Sequence, residues 1–254
     1  MDDRPLPRLY TDLAGWFHLL TRPEDYAEEA GIFTRTILAH LPEARTMLEL
    51  GSGGGNNASH LKHHFDLTLV DLSSEMLSIS ELLNPGIPHI QGDMRYVTLG
   101  RTFDVVFIHD AIMYLTSEDD LLLAMRNAFA HTRPGGLVLI MPDCTRETFR
   151  AGTDHGGHDG SDGFLARYPE RSLRYLEWTY DPDPADTSYI VDFAYLLREA
   201  PDRVQCIYDR HVMGLFDRQT WLRLLNQAGF RAWTEPFEHS EVSGSTDMFL
   251  GTRP

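Results

Sequence analysis

Thr46-Met-Leu-Glu-Leu-Gly-Ser-Gly-Gly-Gly-Asn-Asn57 is the stretch on which the reading of this chain turns. Thr46 to Leu50 has the short apolar run of a strand, Gly51 to Gly55 is a glycine loop, and Asn56 to Lys62 reads as a helix. Glycines allow a tight turn and close backbone approach to a ligand, so a strand, loop and helix in that order predict contact with a nucleotide-like group.

Outward from this unit the alternation continues. Leu67 to Asp71, His89 to Gln91 and Val105 to His109 read as strands, Ser73 to Leu83 as a helix, and Ser117 as the cap of a helix reaching about Ala130. Arg133-Pro-Gly-Gly136 predicts a turn into Leu137 to Met141, whose unbroken apolar character fits a strand covered on both faces. Upstream, Thr21-Arg-Pro-Glu24 has capping-box spacing before Tyr26, Ala30, Phe33 and Ile37 at helical intervals. The expected fold class is α/β, a doubly wound Rossmann-like parallel sheet.

After Pro142 the pattern changes. Thr153 to Gly163 is rich in glycine, aspartate and histidine and predicts a mobile loop. Leu173 to Tyr180, Ser188 to Arg198 and Val204 to Leu215 predict an antiparallel β cap inserted after the fifth strand. Asp217 to Gly229 predicts a helix, and Phe230 to Phe237 and Met248 to Gly251 two closing strands. The expected division is a core of residues 1–142 and 216–254 with a substrate-binding insertion at 143–215.

Composition bounds the partners. The chain has 254 residues, 42% hydrophobic and 24% charged, as ordinary globular proteins do. With 22 Lys+Arg against 38 Asp+Glu, the formal net charge of -16 repels phosphate backbones and anionic membranes, so neither nucleic acid nor membrane is expected as a partner. Met1 to Gly15 lacks the basic and apolar regions of a secretory signal and no apolar run reaches spanning length, so a cytoplasmic location is expected. Cys144 and Cys206 have no finger spacing and are expected to be buried spectators. His155, His158, Asp159 and Asp162 have irregular spacing, and no metal site is expected.

Three nucleotide readings compete for the loop. A phosphate-binding loop needs Gly-Lys-Ser/Thr where this chain has Asn56-Asn57. A GxGxxG dinucleotide loop needs glycine at 56, so an NAD-dependent oxidoreductase is the secondary reading. Glu49, two residues before the first glycine, the GxGxG spacing, and Asp71, about twenty residues after Gly51, together resemble class I S-adenosylmethionine-dependent methyltransferases. The resemblance extends to Gln91-Gly-Asp-Met94, to Phe103 through His109-Asp110-Ala-Ile-Met-Tyr114 and to Arg133-Pro-Gly-Gly136. Leu9-Tyr10, Asp25 to Ala30, Gly92-Asp-Met-Arg95 and the late meander before Gly214-Leu-Phe resemble bacterial amino-sugar N,N-dimethyltransferases of antibiotic pathways.

That resemblance implies methyl transfer from S-adenosylmethionine, leaving S-adenosylhomocysteine, to a nitrogen or oxygen of a small molecule. It implies cofactor contacts from Tyr10, Glu49, Gly51, Ser52, Gly53, Asp71, Leu72, Met76, Gly92, Asp93, Met94, His109, Asp110 and Ala111, with Asp71 on the ribose and Asp93 on the adenine. A sulfonium is an activated donor, so positioning and exclusion of water supply most of the catalysis. A hydroxyl acceptor benefits from a base, for which His109 and Tyr114 are the candidates. Trp16, Tyr26, Trp178, Tyr195 and His211 are the expected acceptor contacts, and the aromatic meander leaves room for a homodimer surface. A noncatalytic nucleotide-binding module is the remaining alternative.

Overall fold

Alternate residues of the central strands bury on opposite faces, which is how one sheet comes to have two cores. The computed structural model describes residues 5–160, 170–199, 202–240 and 246–254. Its strands are β1 (Thr46–Leu50), β2 (Asp66–Asp71), β3 (His89–Gln91), β4 (Phe103–Ile108), β5 (Thr132–Ile140), β6 (Gly152–Gly156), β7 (Arg171–Tyr180), β8 (Ser188–Glu199), β9 (Arg203–Gly214), β10 (Arg231–Phe237) and β11 (Thr246–Thr252). The helices are α1 (Phe17–Leu20), α2 (Ala27–His40), α3 (Asn56–Leu61), α4 (Ser74–Leu83), α5 (Glu118–His131) and α6 (Arg218–Ala228).

Leu48, Leu50, Val106, Ile108, Val138 and Ile140 pack on one side with Leu121 and Met125 of α5 and Trp221 and Leu225 of α6. Met47, Val105, Phe107, Leu137 and Leu139 pack on the other with Phe33 and Ile37 of α2 and Leu61 of α3. The same alternation puts Glu49 on the face of Met47, toward the α2 and α3 layer.

The sheet order is β10-β11-β5-β4-β1-β2-β3. β1 to β5 run parallel, and β11 is antiparallel to both neighbours. The order reverses between β1 and β4, and at such a switch point the helices after the two strands leave on opposite sides and open a crevice at the carboxyl ends. Gly51 to Gly55 and His109 to Ala111 lie at that crevice. Ser73, Ser117 and Asp217 cap α4, α5 and α6 by accepting the amides of Met76, Asp120 and Thr220. Gly229 ends α6 at φ 115°.

The second sheet, β6-β7-β8-β9, is antiparallel throughout. It is tied to both parts of the molecule: Leu173, Tyr195 and Leu197 pack on Leu9, Leu13 and Leu19, while Tyr189, Val191 and Met213 join the core that holds α5 and α6. Among the described residues no helix is long and apolar enough to cross a membrane.

Several local expectations need correction. The glycine, aspartate and histidine tract is strand over its first part, because Gly152 to Gly156 pairs with Thr179 to Tyr175; Ser161, Asp162 and Gly163 lie outside the described residues. The helix expected from Thr21 begins with a 3₁₀ turn at Pro23–Tyr26, and Asp25 accepts the Arg22 amide at 3.2 Å, one residue later than the capping box read from the sequence. Arg133 to Gly136 lies within β5 rather than before it. His109 follows the last residue of β4 instead of ending the strand. Cys206 is exposed, not buried.

Candidate active site

Asp71, at the end of β2, organises the glycine loop. Its Oδ2 accepts the Gly53 amide at 2.7 Å and its Oδ1 the Ser73 amide at 2.8 Å, while the amides of Gly51 and Ser52 donate to the Val70 carbonyl at 2.7 and 3.0 Å. Gly51, Gly53 and Gly55 have φ of 79°, 52° and 78°, which L side chains rarely adopt. A Cβ on Gly51 would collide with the Cβ of Ala111 and press on Cε of Met94, so glycine there is also what lets the ends of β1 and β4 close. Burial pushes the Asp71 carboxyl up, opposed by the amides of Ser73, Gly53 and Leu72.

The loop forms one wall of a cavity of about 1190 Å³. At its floor lies Glu49, 2% exposed, with its Oε2 lacking a hydrogen-bond partner and its pKa pushed up to about 8 by burial and by the nearby charges of Asp71 and Glu29. Ser52 Oγ and the Oδ1 atoms of Asn56 and Asn57, which also line this wall, are likewise buried without partners. An unpaired buried carboxyl group and three further unpaired polar atoms cost free energy unless a ligand supplies donors or positive charge. A zwitterionic amino-acid end with an ammonium group, as S-adenosylmethionine has, supplies both.

Asp93 accepts the Arg95 amide at 2.8 Å and binds its guanidinium through two nitrogens, at 3.0 Å on Oδ1 and 2.7 Å on Oδ2. Arg95 also donates to Asp120 at 2.6 Å. These bonds outweigh burial and lower the Asp93 pKa, leaving an ionised acceptor at the cavity rim beside Gly92 and Met94.

The wall beyond the end of β4, next to the glycine loop, is acidic and aromatic. His109 Nδ1 lies 2.9 Å from Asp110 Oδ1, and its Nε2 3.7 Å from Glu29 Oε1. Asp110 and Asp143 open onto the cavity but are ringed by protein. Burial raises Asp110 to about 6, moderated by a hydrogen bond with Asp143, and burial together with the Asp110 charge raises Asp143 well above the carboxylate range. The pair stays in contact with solvent through the cavity, with 42% of the Asp110 side chain exposed. Beyond it stand Tyr114 and His211, whose Oη and Nδ1 are 2.7 Å apart, with Tyr10 Oη 2.8 Å from Tyr114 Oη.

Of the residues expected from the sequence, Tyr10, Tyr26, Glu49, Gly51, Ser52, Gly53, Asp71, Leu72, Gly92, Asp93, Met94, His109, Asp110, Ala111, Tyr114 and His211 line this one cavity. Four do not. Met76 is wholly buried beneath the loop, its Cε near Gly53. Trp16 stacks under the Arg171 guanidinium at 4.7 Å. Tyr195 is buried against Leu9 and Leu173, and Trp178 is 62% exposed on the outer face of the second sheet.

Sequence reasoning missed Asp143 and Glu177, which line the cavity together with Tyr189 and Phe193 of the aromatic meander. Asp143 follows β5 at the same sheet edge as Asp71 and Asp110, and that position was a usable signal. Glu177 and Phe193 face each other in register on β7 and β8, and nothing short of the register reveals it. Cys144 is also at the wall, where burial and Asp143 push its thiol up to about 12, so it is a poor nucleophile. Among the described residues no group of His, Cys, Asp and Glu has a metal-holding arrangement.

Residues 47–136 match the family model described as a methyltransferase domain. The chain is 33% identical over 224 residues to the dTDP-3-amino-3,4,6-trideoxy-alpha-D-glucopyranose N,N-dimethyltransferase of Streptomyces venezuelae, covering 87% of this chain and 90% of that one. It is 29% identical over 209 residues to the dTDP-3-amino-3,6-dideoxy-alpha-D-glucopyranose N,N-dimethyltransferase of Streptomyces fradiae, covering 81% and 78%. Its fold superposes on the sugar N-methyltransferase KedS8 of Streptoalloteichus with a TM-score of 0.78 at 26% identity, over 100% of this chain and 96% of that one. These relationships replace the oxidoreductase and noncatalytic alternatives: the chain belongs to the class I S-adenosylmethionine-dependent methyltransferases.

Proposed function

We propose that this enzyme methylates the amino nitrogen of a nucleotide-linked amino sugar. The observation that carries the reading is the set of carboxyl groups of Asp110, Asp143 and Glu177 lining the cavity, a surface that attracts an amine in its cationic form and holds it after a methyl group adds a positive charge. The names of the two Streptomyces relatives supply the acceptor class.

S-adenosylmethionine would supply an electrophilic methyl group on sulfonium. In this chain Glu49, Ser52, Asn56 and Asn57 would take its amino-acid end, Asp71 its ribose hydroxyls and Asp93 its adenine amino group, while Leu72 and Met94 flank the ring. Tyr10 and Tyr26 would close over the reacting centre with aromatic faces that favour a cation and exclude water. His109, fixed between Asp110 and Glu29, would orient the Asp110 carboxylate toward the acceptor amine. Residues 143–215 would act as the acceptor-binding cap.

The direct test is incubation with S-adenosylmethionine and a panel of dTDP-linked 3-amino and 4-amino sugars, read by mass spectrometry. Gain of one or two methyl groups on nitrogen supports the reading; methylation only of hydroxyl acceptors, or of none, ends it. A homodimer would use the outer face of the second sheet, where Leu176, Trp178, Leu196, Val204 and Tyr208 are exposed, and sedimentation velocity measures it.

A further inference from the structure

The turn Arg8–Tyr10 follows Pro7, whose side chain offers it no acceptor, and the first amides of a helical turn have no partner within the turn. Both are taken by one carboxylate from two hundred residues further along the chain. Asp209 of β9 accepts the Arg8 amide at 3.1 Å on Oδ1 and the Leu9 amide at 2.9 Å on Oδ2. Asp209 is 5% exposed, and its Oδ2 lies 3.3 Å from Nε2 of His211, two positions along the strand and so on the same face of the sheet. Burial works against the charge of Asp209, but the bonds from His211, Leu9 and Arg8 win and its pKa is lowered, so the two amides meet an ionised group.

The same few residues are bonded to the glycine-loop side of the cavity. Ser73 Oγ donates to the Tyr10 carbonyl at 2.5 Å and accepts the Met76 amide at 3.0 Å, while the Ser73 amide donates to Asp71 at 2.8 Å. Tyr10 Oη accepts the Tyr114 hydroxyl at 2.8 Å, and the two rings meet edge-on with centroids 5.5 Å apart. Leu9 packs on Leu173, Tyr195 and Leu197 of the second sheet. Pro5, Leu6, Pro7, Leu9 and Tyr10 all line the cavity, so the strip of chain stretched between Asp209 and Ser73 is one of its walls.

We propose that Asp209 is a positioning residue: from β9 it latches residues 8–10 across the cavity to Ser73, and this latch closes the cofactor pocket and fixes Tyr10 at its wall. Only the cofactor half of the cavity is involved, so the latch stands or falls independently of which acceptor is methylated.

Residues 8–10 are held by single bonds and by the buried Leu9 side chain, not by a sheet ladder, and such a segment opens at a free energy below that of global unfolding. A molecule bound behind it leaves through the open form, so each bond removed raises the open population and with it the rate of release. Hydrogen bonds to an ionised carboxylate are about twice as strong as neutral ones. The closure is therefore most sensitive at Asp209, which holds two of them at once.

The test follows release of radiolabelled S-adenosylhomocysteine from the full chain, chased with an excess of the unlabelled compound. Two substitutions cut the latch from opposite ends. Asp209→Asn keeps the shape but leaves one acceptor oxygen for two amides. Arg8→Pro deletes one of the donors, and the backbone suits it: Pro7, at φ -51° and ψ 149°, already has the extended conformation required before a proline, and the first position of a helical turn accepts one. Arg8→Ala, which removes only an exposed side chain and its ion pair with Asp12, is the control. Release about tenfold or more faster is expected in both latch variants, with the control within about twofold of wild type. Hydrogen exchange with S-adenosylhomocysteine bound should quicken at residues 8–14 and stay as in wild type along β7 and β8, a pattern that general loosening of the second sheet does not give. Wild-type release from either latch variant overturns the proposal. So does faster exchange spread along β7 and β8, which would make Asp209 a support of the sheet alone.

Discussion

At the residue scale, two acids of the cavity, Glu49 and Asp71, carry tests of the proposed cofactor site. Glu49 is held near pKa 8 by burial, whereas an unfolded glutamate titrates near about 4.3. Between those values the folded protein binds one more proton than the unfolded chain, so the stability of the cofactor-free protein should fall as pH rises from about 4.3 to 8, by at most about 1.4 kcal/mol per pH unit, and level off above that. Glu49→Gln should remove this decline in urea melts across the range. An ammonium group arriving beside Glu49 favours its ionised form, so cofactor binding should release a proton near pH 7, which calorimetry in buffers of different ionisation enthalpy measures. Asp71→Ala removes the acceptor of the Gly53 and Ser73 amides and, on the proposed reading, a ribose partner. A loss of about 1.5–3 kcal/mol, roughly 10- to 100-fold in Kd for S-adenosylmethionine, is expected by the same method.

At the element scale the glycine loop illustrates how far pattern reading reaches. Strand, glycines and helix follow from apolar content and punctuation alone, because each is a local property. The need for glycine at 51 has a second source in the contact with Ala111, from another strand. Gly51→Ala should cost about 1–2 kcal/mol for its positive φ and about 1–3 kcal/mol for overpacking, seen as a lower denaturation midpoint together with lost cofactor binding. The tract at 153–156 shows the opposite case. Its sequence is that of a loop, and it becomes a strand only because β7 offers a free edge with which its backbone can pair. Capping was misplaced by one residue at Pro23 because Thr21 and Arg22 are both compatible with the spacing, and the bond from Arg22 to Asp25 decides between them.

At the scale of the whole molecule, the second sheet divides its residues between the cavity and the exterior. Tyr175, Glu177, Tyr189, Phe193 and His211 point inward, while Leu176, Trp178, Leu196 and Tyr208 point out. Trp178→Glu should therefore leave cofactor affinity and turnover within about twofold and stability within about 0.5 kcal/mol. If two copies meet on this face, the same variant should shift the sedimentation coefficient toward that of the monomer.

The order of elements, the glycine loop and Asp71 were legible in the residues themselves, because period, punctuation and spacing are properties of a contiguous chain, and Asp93 followed from the family resemblance. The inward and outward faces of the meander, the approach of Asp110 to Asp143, and the chain of bonds from Asp209 to Tyr10 were not. Trp178 and Tyr195 look as suited to a pocket as Tyr189 until register turns Trp178 outward and the packing of Leu9 covers Tyr195, and Leu9 and Asp209 meet across most of the length of the sequence. Such contacts follow from how separate elements pack, and only the tertiary structure decides them.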